Sequence, residues 1–174
     1  HLRVLPMARD FQEIRVYSRS RASAEAIADG VPRARVIDDL EAAVRSSDVV
    51  CLCTSSETPV IKAEWIRPGT HVTSVGYVGA GGEVPRELIS RATIYVETRN
   101  AFAPTPVGSA ELQGLDPALG IEVGELLAGT RPGRTSAEQV TLYKSMGNAM
   151  EDMVVANLVY EAALRSGRGR KAVL

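Results

Sequence analysis

Apolar and polar positions along this chain fall into two rhythms that take turns. Ile14, Val16 and Tyr17 form a short apolar run that stops at Ser18-Arg19-Ser20-Arg21 and gives way to the Ala-rich stretch from Ala22 to Ala28. That succession reads as strand, polar turn and helix. The same reading places further strands at 34–37, 48–53, 70–75, 93–97 and 139–143, beside the opening one at 13–17. Helices are predicted at 22–28, 39–45, 85–91, 122–128 and 146–166. Strands and helices alternating at this spacing predict an α/β fold, a parallel sheet covered on both faces by helices.

Local chemistry supports several of the boundaries. Asp38 or Asp39 can cap the second helix, with Glu41 in its first turn. Val49 to Cys53 is apolar without alternation, the signature of a strand buried on both faces, and predicts a place in the middle of the sheet. Pro68-Gly69 marks a turn, Gly76 to Gly82 a glycine-rich crossing, and 101–120 is the least regular segment. Leu2, Val4, Leu5 and Met7 read as helix from the first residues, so the expectation is a piece of a longer polypeptide. The last helix carries Met146, Met150, Met153, Val154, Val155, Leu158, Val159 and Leu164 on more than one stripe. A helix apolar on several sides must be covered on several sides, by further sequence or by a second subunit. It is closed by Gly167 and a basic tail of Arg168, Arg170 and Lys171.

Composition narrows the function classes. The 174 residues suffice for one domain, and 20 basic against 21 acidic residues give no field that would draw nucleic acid or an anionic membrane. Cys51 and Cys53 stand too close for an ordinary bridge and are too few for a zinc site, so they read as reduced core residues, and no metal is expected. No apolar run reaches the roughly 20 residues that span a bilayer, and no signal-peptide pattern opens the chain. The expectation is a cytoplasmic protein whose function lies in a local site.

Candidate chemistry sits where the predicted strands end. In doubly wound nucleotide-binding folds, ligands lie beyond the carboxyl ends of the strands, and the turn after the second strand meets the adenosine ribose. Here that turn is Ser18-Arg19-Ser20-Arg21, without a carboxylate. Arginine with hydroxyl neighbours suits a 2′-phosphate, which points to NADP in preference to NAD. An ordinary solvated turn with surface arginines is the alternative. Thr54-Ser55-Ser56 and Ser74-Val75-Gly76 end two successive strands in small residues that let a cofactor approach the backbone. The G-x-G-x-x-G turn that should accompany them is absent from the sequence, and its expected place is ahead of His1.

Four stretches, VYSRS, DVVCLCTSSETPVI, WIRPGTHVTSVG and TLYKSMGNAMEDMVVANLVYEAA, together resemble the carboxyl-terminal half of the ornithine cyclodeaminase/mu-crystallin family. The resemblance implies a Rossmann-like, doubly wound cofactor domain at 1–144. It implies a helix at 145–174 that returns to a dimerisation and substrate domain largely missing from this chain. It further implies Ser18, Arg19 and Ser20 around the adenosine phosphate or ribose, Cys53, Thr54 and Ser55 along adenine, and Val75, Gly76 and Ser145 near the nicotinamide. The implied partners are a small amino or imino acid and a second copy of the chain.

One departure matters. Ornithine cyclodeaminases carry a proposed acid/base aspartate in a G-D-x-P-G-K-x-E-L pattern, and here that stretch reads Gly76-Tyr77-Val78-Gly79-Ala80-Gly81-Gly82-Glu83-Val84. Valine cannot move a proton, and Glu83 reads as structural. His71, just inside a strand, reads as a packing histidine, and Lys144 as structural or pocket-lining. No catalytic residue is assigned. The favoured function is hydride transfer between NAD(P) and a C–N bond of a cyclic imine or small amino or imino acid. The alternatives are ornithine cyclodeaminase itself and a non-catalytic cofactor-binding protein.

Overall fold

Parallel strands need long crossovers, and the helical segments between them supply these. The computed structural model describes residues 1–170 and 172, so Lys171 of the basic tail lies outside the described residues. In chain order the elements are α1 (Leu5–Ala8), β1 (Ile14–Val16), α2 (Arg21–Ala28), β2 (Ala34–Val36), α3 (Leu40–Arg45), β3 (Val49–Leu52) and β4 (His71–Ser74). They continue as α4 (Arg86–Arg91), β5 (Thr93–Val96), β6 (Gly120–Glu122), α5 (Val123–Leu127), β7 (Thr141–Lys144) and α6 (Ala149–Ser166). All pairings are parallel, in a two-stranded sheet β1-β2 and a five-stranded sheet of order β3-β4-β7-β5-β6.

Helix starts follow the side chains that can cap them. Ser20 accepts from the Ser23 amide at 3.3 Å, Asp39 from Ala42 at 2.9 Å and Asn148 from Met150 at 2.9 Å. The last of these moves the start of the long helix from the predicted Met146 to Ala149, because Gly147, at φ +80°, breaks the chain direction before Asn148.

Two other expectations are corrected, and one strand is added to those expected. Val49 to Leu52 alternates between half-buried and buried, and β3 ends the five-stranded sheet instead of lying in its middle. The strands with three successive buried residues are β4 and β5, with β7 between them. With one flank of β3 unpaired among the described residues, Cys51 is half-buried and Cys53 exposed, so neither is a core residue. Finally, the irregular segment 101–120 runs into the short strand β6. Its Gly120 lies so near Phe102 that a Cβ would sit 2.5 Å from the ring.

The core joins Val50, Leu52, Val72, Ile94, Val96 and Leu142 of the sheet to Val44 of α3, Leu88 and Ile89 of α4, and Phe102 and Leu112 of the loops. Each fully buried side chain of this size contributes about 1.5–3 kcal/mol of transfer free energy. α6 takes no share: none of its residues is buried, and Met150, Met153, Val155, Leu158 and Val159 are all exposed.

Candidate functional site

Because the strands are parallel and in step, their carboxyl ends line one edge of the sheet. Leu52 pairs with Ser74 and Ser74 with Lys144, which brings Thr54, Gly76 and Ser145 to that edge together. The Glu83 carboxylate braces the first two. One of its oxygens accepts from the Thr54 amide at 2.8 Å and the Thr54 hydroxyl at 2.7 Å. The other accepts from the Ser74 hydroxyl at 2.7 Å and the Gly76 amide at 2.8 Å. Burial pushes this carboxyl upward, but the bonds from Thr54, Ser74 and Gly76 together outweigh it and hold its pKa below the ordinary value. Gly76 itself has no room for a side chain, since a Cβ would stand 2.4 Å from the Thr54 carbonyl oxygen and 2.7 Å from Glu83.

Behind this rim lies a buried ion pair. Lys144 Nζ meets Glu111 Oε2 at 2.5 Å, with both side chains nearly sealed from solvent. The ammonium also donates to the Gly76 carbonyl at 2.6 Å and to Ser74 Oγ at 3.0 Å. Glu111 accepts in addition from the Val84 amide at 2.8 Å and the Ser109 hydroxyl at 3.0 Å. Every charge in the cluster thus has a partner, the condition on which a buried pair is tolerated.

A second carboxylate, Glu97, follows β5 and organises the turn into α6. Its oxygens accept from the Tyr143 hydroxyl at 2.9 Å, the Ser145 hydroxyl at 2.7 Å, and the amides of Met146 and Gly147 at 3.0 and 3.2 Å. Burial raises its pKa, and the bonds from Ser145 and Met146 lead those that bring it below the ordinary value. Beside it opens a cleft of about 220 Å³ lined by Glu97, Asn100, Val107, Met146 and Asn148.

The residues singled out in the sequence take distinct places. Thr54, Ser55 and Val75 are exposed at the rim, Cys53 is exposed next to Thr54, and Gly76 and Ser145 are half-buried. Ser74 departs from expectation: it is fully buried and its hydroxyl is held by Glu83 and Lys144, so it stands behind the rim. Ser18 is half-buried, and Ser20 is the cap of α2. Arg19 is exposed with no hydrogen-bond or ion-pair partner for its side chain among the described residues. Arg21, by contrast, is engaged by Asp38 at 2.6 Å and Glu25 at 2.9 Å. No hydrogen bond among the described residues links this turn to the Thr54–Gly76 rim.

His71 Nδ1 lies 2.8 Å from Thr141 Oγ1, and burial, then the charge of Arg134, lowers its pKa. That is a neutral packing histidine. Within Gly76 to Gly82 the only ionisable side chain is Tyr77, whose hydroxyl donates to the Pro106 carbonyl at 3.1 Å. Sequence reasoning missed Glu97 and Glu111. An acidic residue directly after the apolar Ile94-Tyr95-Val96 was an available signal for Glu97, whereas Glu111 sits in irregular sequence with none.

Parallel strands with helical crossovers and a braced opening at their carboxyl ends define an α/β fold of the dinucleotide-binding class. The chain belongs to the ornithine cyclodeaminase/mu-crystallin family, whose family model matches residues 1–167. It is 34% identical over 164 residues to ketimine reductase mu-crystallin of Mus musculus, covering 93% of this chain and 51% of that protein. Among solved structures it is similar to Thermococcus litoralis Delta(1)-pyrroline-2-carboxylate reductase in complex with NADH and L-proline. The TM-score is 0.88, with 26% identity, over 98% of this chain and 56% of the other. It is also similar to an archaeal alanine dehydrogenase dimer with bound NAD, with a TM-score of 0.84 and 31% identity, over 99% of this chain and 56% of the other. The chain therefore spans about half the length of the relatives it matches.

Proposed function

We propose that this chain is the cofactor-binding portion of an NAD(P)-dependent oxidoreductase. Its reaction is hydride transfer at the C–N bond of a cyclic imine or a small amino or imino acid. The observation that carries this reading is the edge where Thr54 and Gly76 are locked together by Glu83 while Thr54, Ser55 and Val75 remain open to solvent. A flat ring can lie against such an edge, because Gly76 presents only backbone. Cys53, Thr54 and Ser55 would flank the adenine side, and Val75, Gly76 and Ser145 the nicotinamide. The nicotinamide, when bound, would supply or accept the hydride; the residues here would hold and orient it.

The preference for NADP belongs to the same proposal. Arg19, unpaired among the described residues and flanked by Ser18 and Ser20, is free to meet a 2′-phosphate, while Arg21 neutralises Asp38 nearby. Residues 1–144 form the cofactor domain in this reading, and 145–174 carry α6 toward a dimerisation and substrate domain, in a homodimer. The mouse relative is a ketimine reductase and the Thermococcus litoralis neighbour a pyrroline carboxylate reductase, which supports imine chemistry. The lyase reading is weakened by the loop itself, since Val78 or its neighbour stands at the aspartate's place and the stretch from Gly76 to Gly82 contains no carboxylate.

The test is the absorbance of reduced nicotinamide in the full-length protein. Oxidation of NADPH by a cyclic imine carboxylate is the expected result. Conversion of ornithine to proline with no net change in absorbance would establish the lyase, and binding without turnover a non-catalytic protein.

A further inference from the structure

From the geometry of the rim we propose that Glu83 is a positioning residue for the dinucleotide, a latch that sets the spacing between the ends of β3 and β4. This rests on the cofactor reading above and assigns a task to a residue that does not itself face the opening. Glu83 is 1% exposed, so it cannot be a contact residue. Yet its two oxygens are shared out between the two strand ends that border the opening. One takes both donors of Thr54, and the other takes the Gly76 amide and Ser74. Lys144 completes the hold by donating to the Gly76 carbonyl, so both polar backbone groups of Gly76 are fixed by buried side chains.

Such a latch has a strict chemical requirement. Each oxygen accepts from a backbone N–H, at Thr54 on one side and Gly76 on the other, and a backbone N–H can only donate. A glutamine offers one oxygen and one NH2. Whichever way its amide turns, a donor faces a donor, and one strand end comes loose. The carboxylate is needed as a symmetric acceptor, which distinguishes this position from one that asks only for size and polarity.

The experiment measures dissociation constants for NADH and NADPH in the full-length protein by nicotinamide fluorescence. Thermal midpoints are recorded for each variant. E83Q is expected to weaken the better-bound dinucleotide by about tenfold or more, as an unpaired buried donor implies. L88A, a core truncation in α4 that destabilises by another route, is expected to leave the constant within about twofold at a temperature where it is folded. S74A is the second variant, independent of whether E83Q folds. Ser74 is fully buried and cannot touch the ligand, so the expected loss of about threefold must be transmitted to Gly76 through the partners of its hydroxyl, Glu83 and Lys144. Unchanged affinity in folded E83Q, or in S74A, overturns the latch, as does an equal loss in L88A. A wild-type protein that binds neither dinucleotide overturns the cofactor reading itself, and the latch with it.

Discussion

At the scale of single residues, the two strand-end carboxylates and the two arginines of the first turn do different work. Arg21 is held by Asp38 and Glu25, which leaves Arg19 as the cation of the proposed phosphate pocket. Arg19→Ala is therefore expected to weaken NADP binding by about 1.5–3 kcal/mol and to leave NAD binding unchanged, measured by titration with each dinucleotide. Equal losses would refute the phosphate assignment. Glu97 makes a pH prediction. Its folded pKa lies below the ordinary value, so its stabilising contribution is complete at neutral pH and is lost as pH falls through the folded pKa. The thermal midpoint of Glu97→Gln should accordingly fall less than that of the wild type as the solution is acidified from about pH 5. The sequence disclosed Glu83 as a structural acid because it stands in a recognisable pattern. Glu97 stayed hidden because its four partners, from Tyr143 to Gly147, are almost fifty residues away and meet it only through strand pairing.

At the scale of elements, close approach decides more than propensity. Gly82 packs against Glu111, and a Cβ there would lie 2.1 Å from its side-chain carbons. Gly82→Ala must displace a carboxylate that is bound to Lys144 and to the Val84 amide. A cost of about 1–3 kcal/mol is expected, read from chemical denaturation, with the buried ion pair as the first casualty. Most helices and strands were legible from their apolar rhythm and caps, to within a residue or a few at their ends. β6 was not, because three residues give no period, and the reason for Gly120 is the Phe102 ring beside it. The placement of β3 misled for a related reason: an apolar run reports that a segment can be buried, and the pairing that decides where it lies is non-local.

At the scale of the whole molecule, α6 stands apart. Met150, Met153, Val154, Val155, Leu158 and Val159 are each more than half exposed, an apolar surface far beyond what a solvated helix carries. In the proposed homodimer this helix belongs to the interface or to the substrate domain. Leu158→Glu in the full-length protein is therefore expected to shift the species seen by light scattering from dimer toward monomer. A dimer of unchanged mass and affinity would place α6 elsewhere. The surplus of apolar residues was legible in the sequence; what covers them was not.

The strand order β3-β4-β7-β5-β6 has a consequence for synthesis. Of the seven strands described, β7 is the last to leave the ribosome, yet it lies between β4 and β5 and brings Lys144 with it. Until Thr141–Lys144 emerges, a nascent polypeptide holds two disconnected halves with facing unsatisfied edges, and Glu111 waits without its cation. A chain cut short before that point loses the keystone of its sheet, not a fringe.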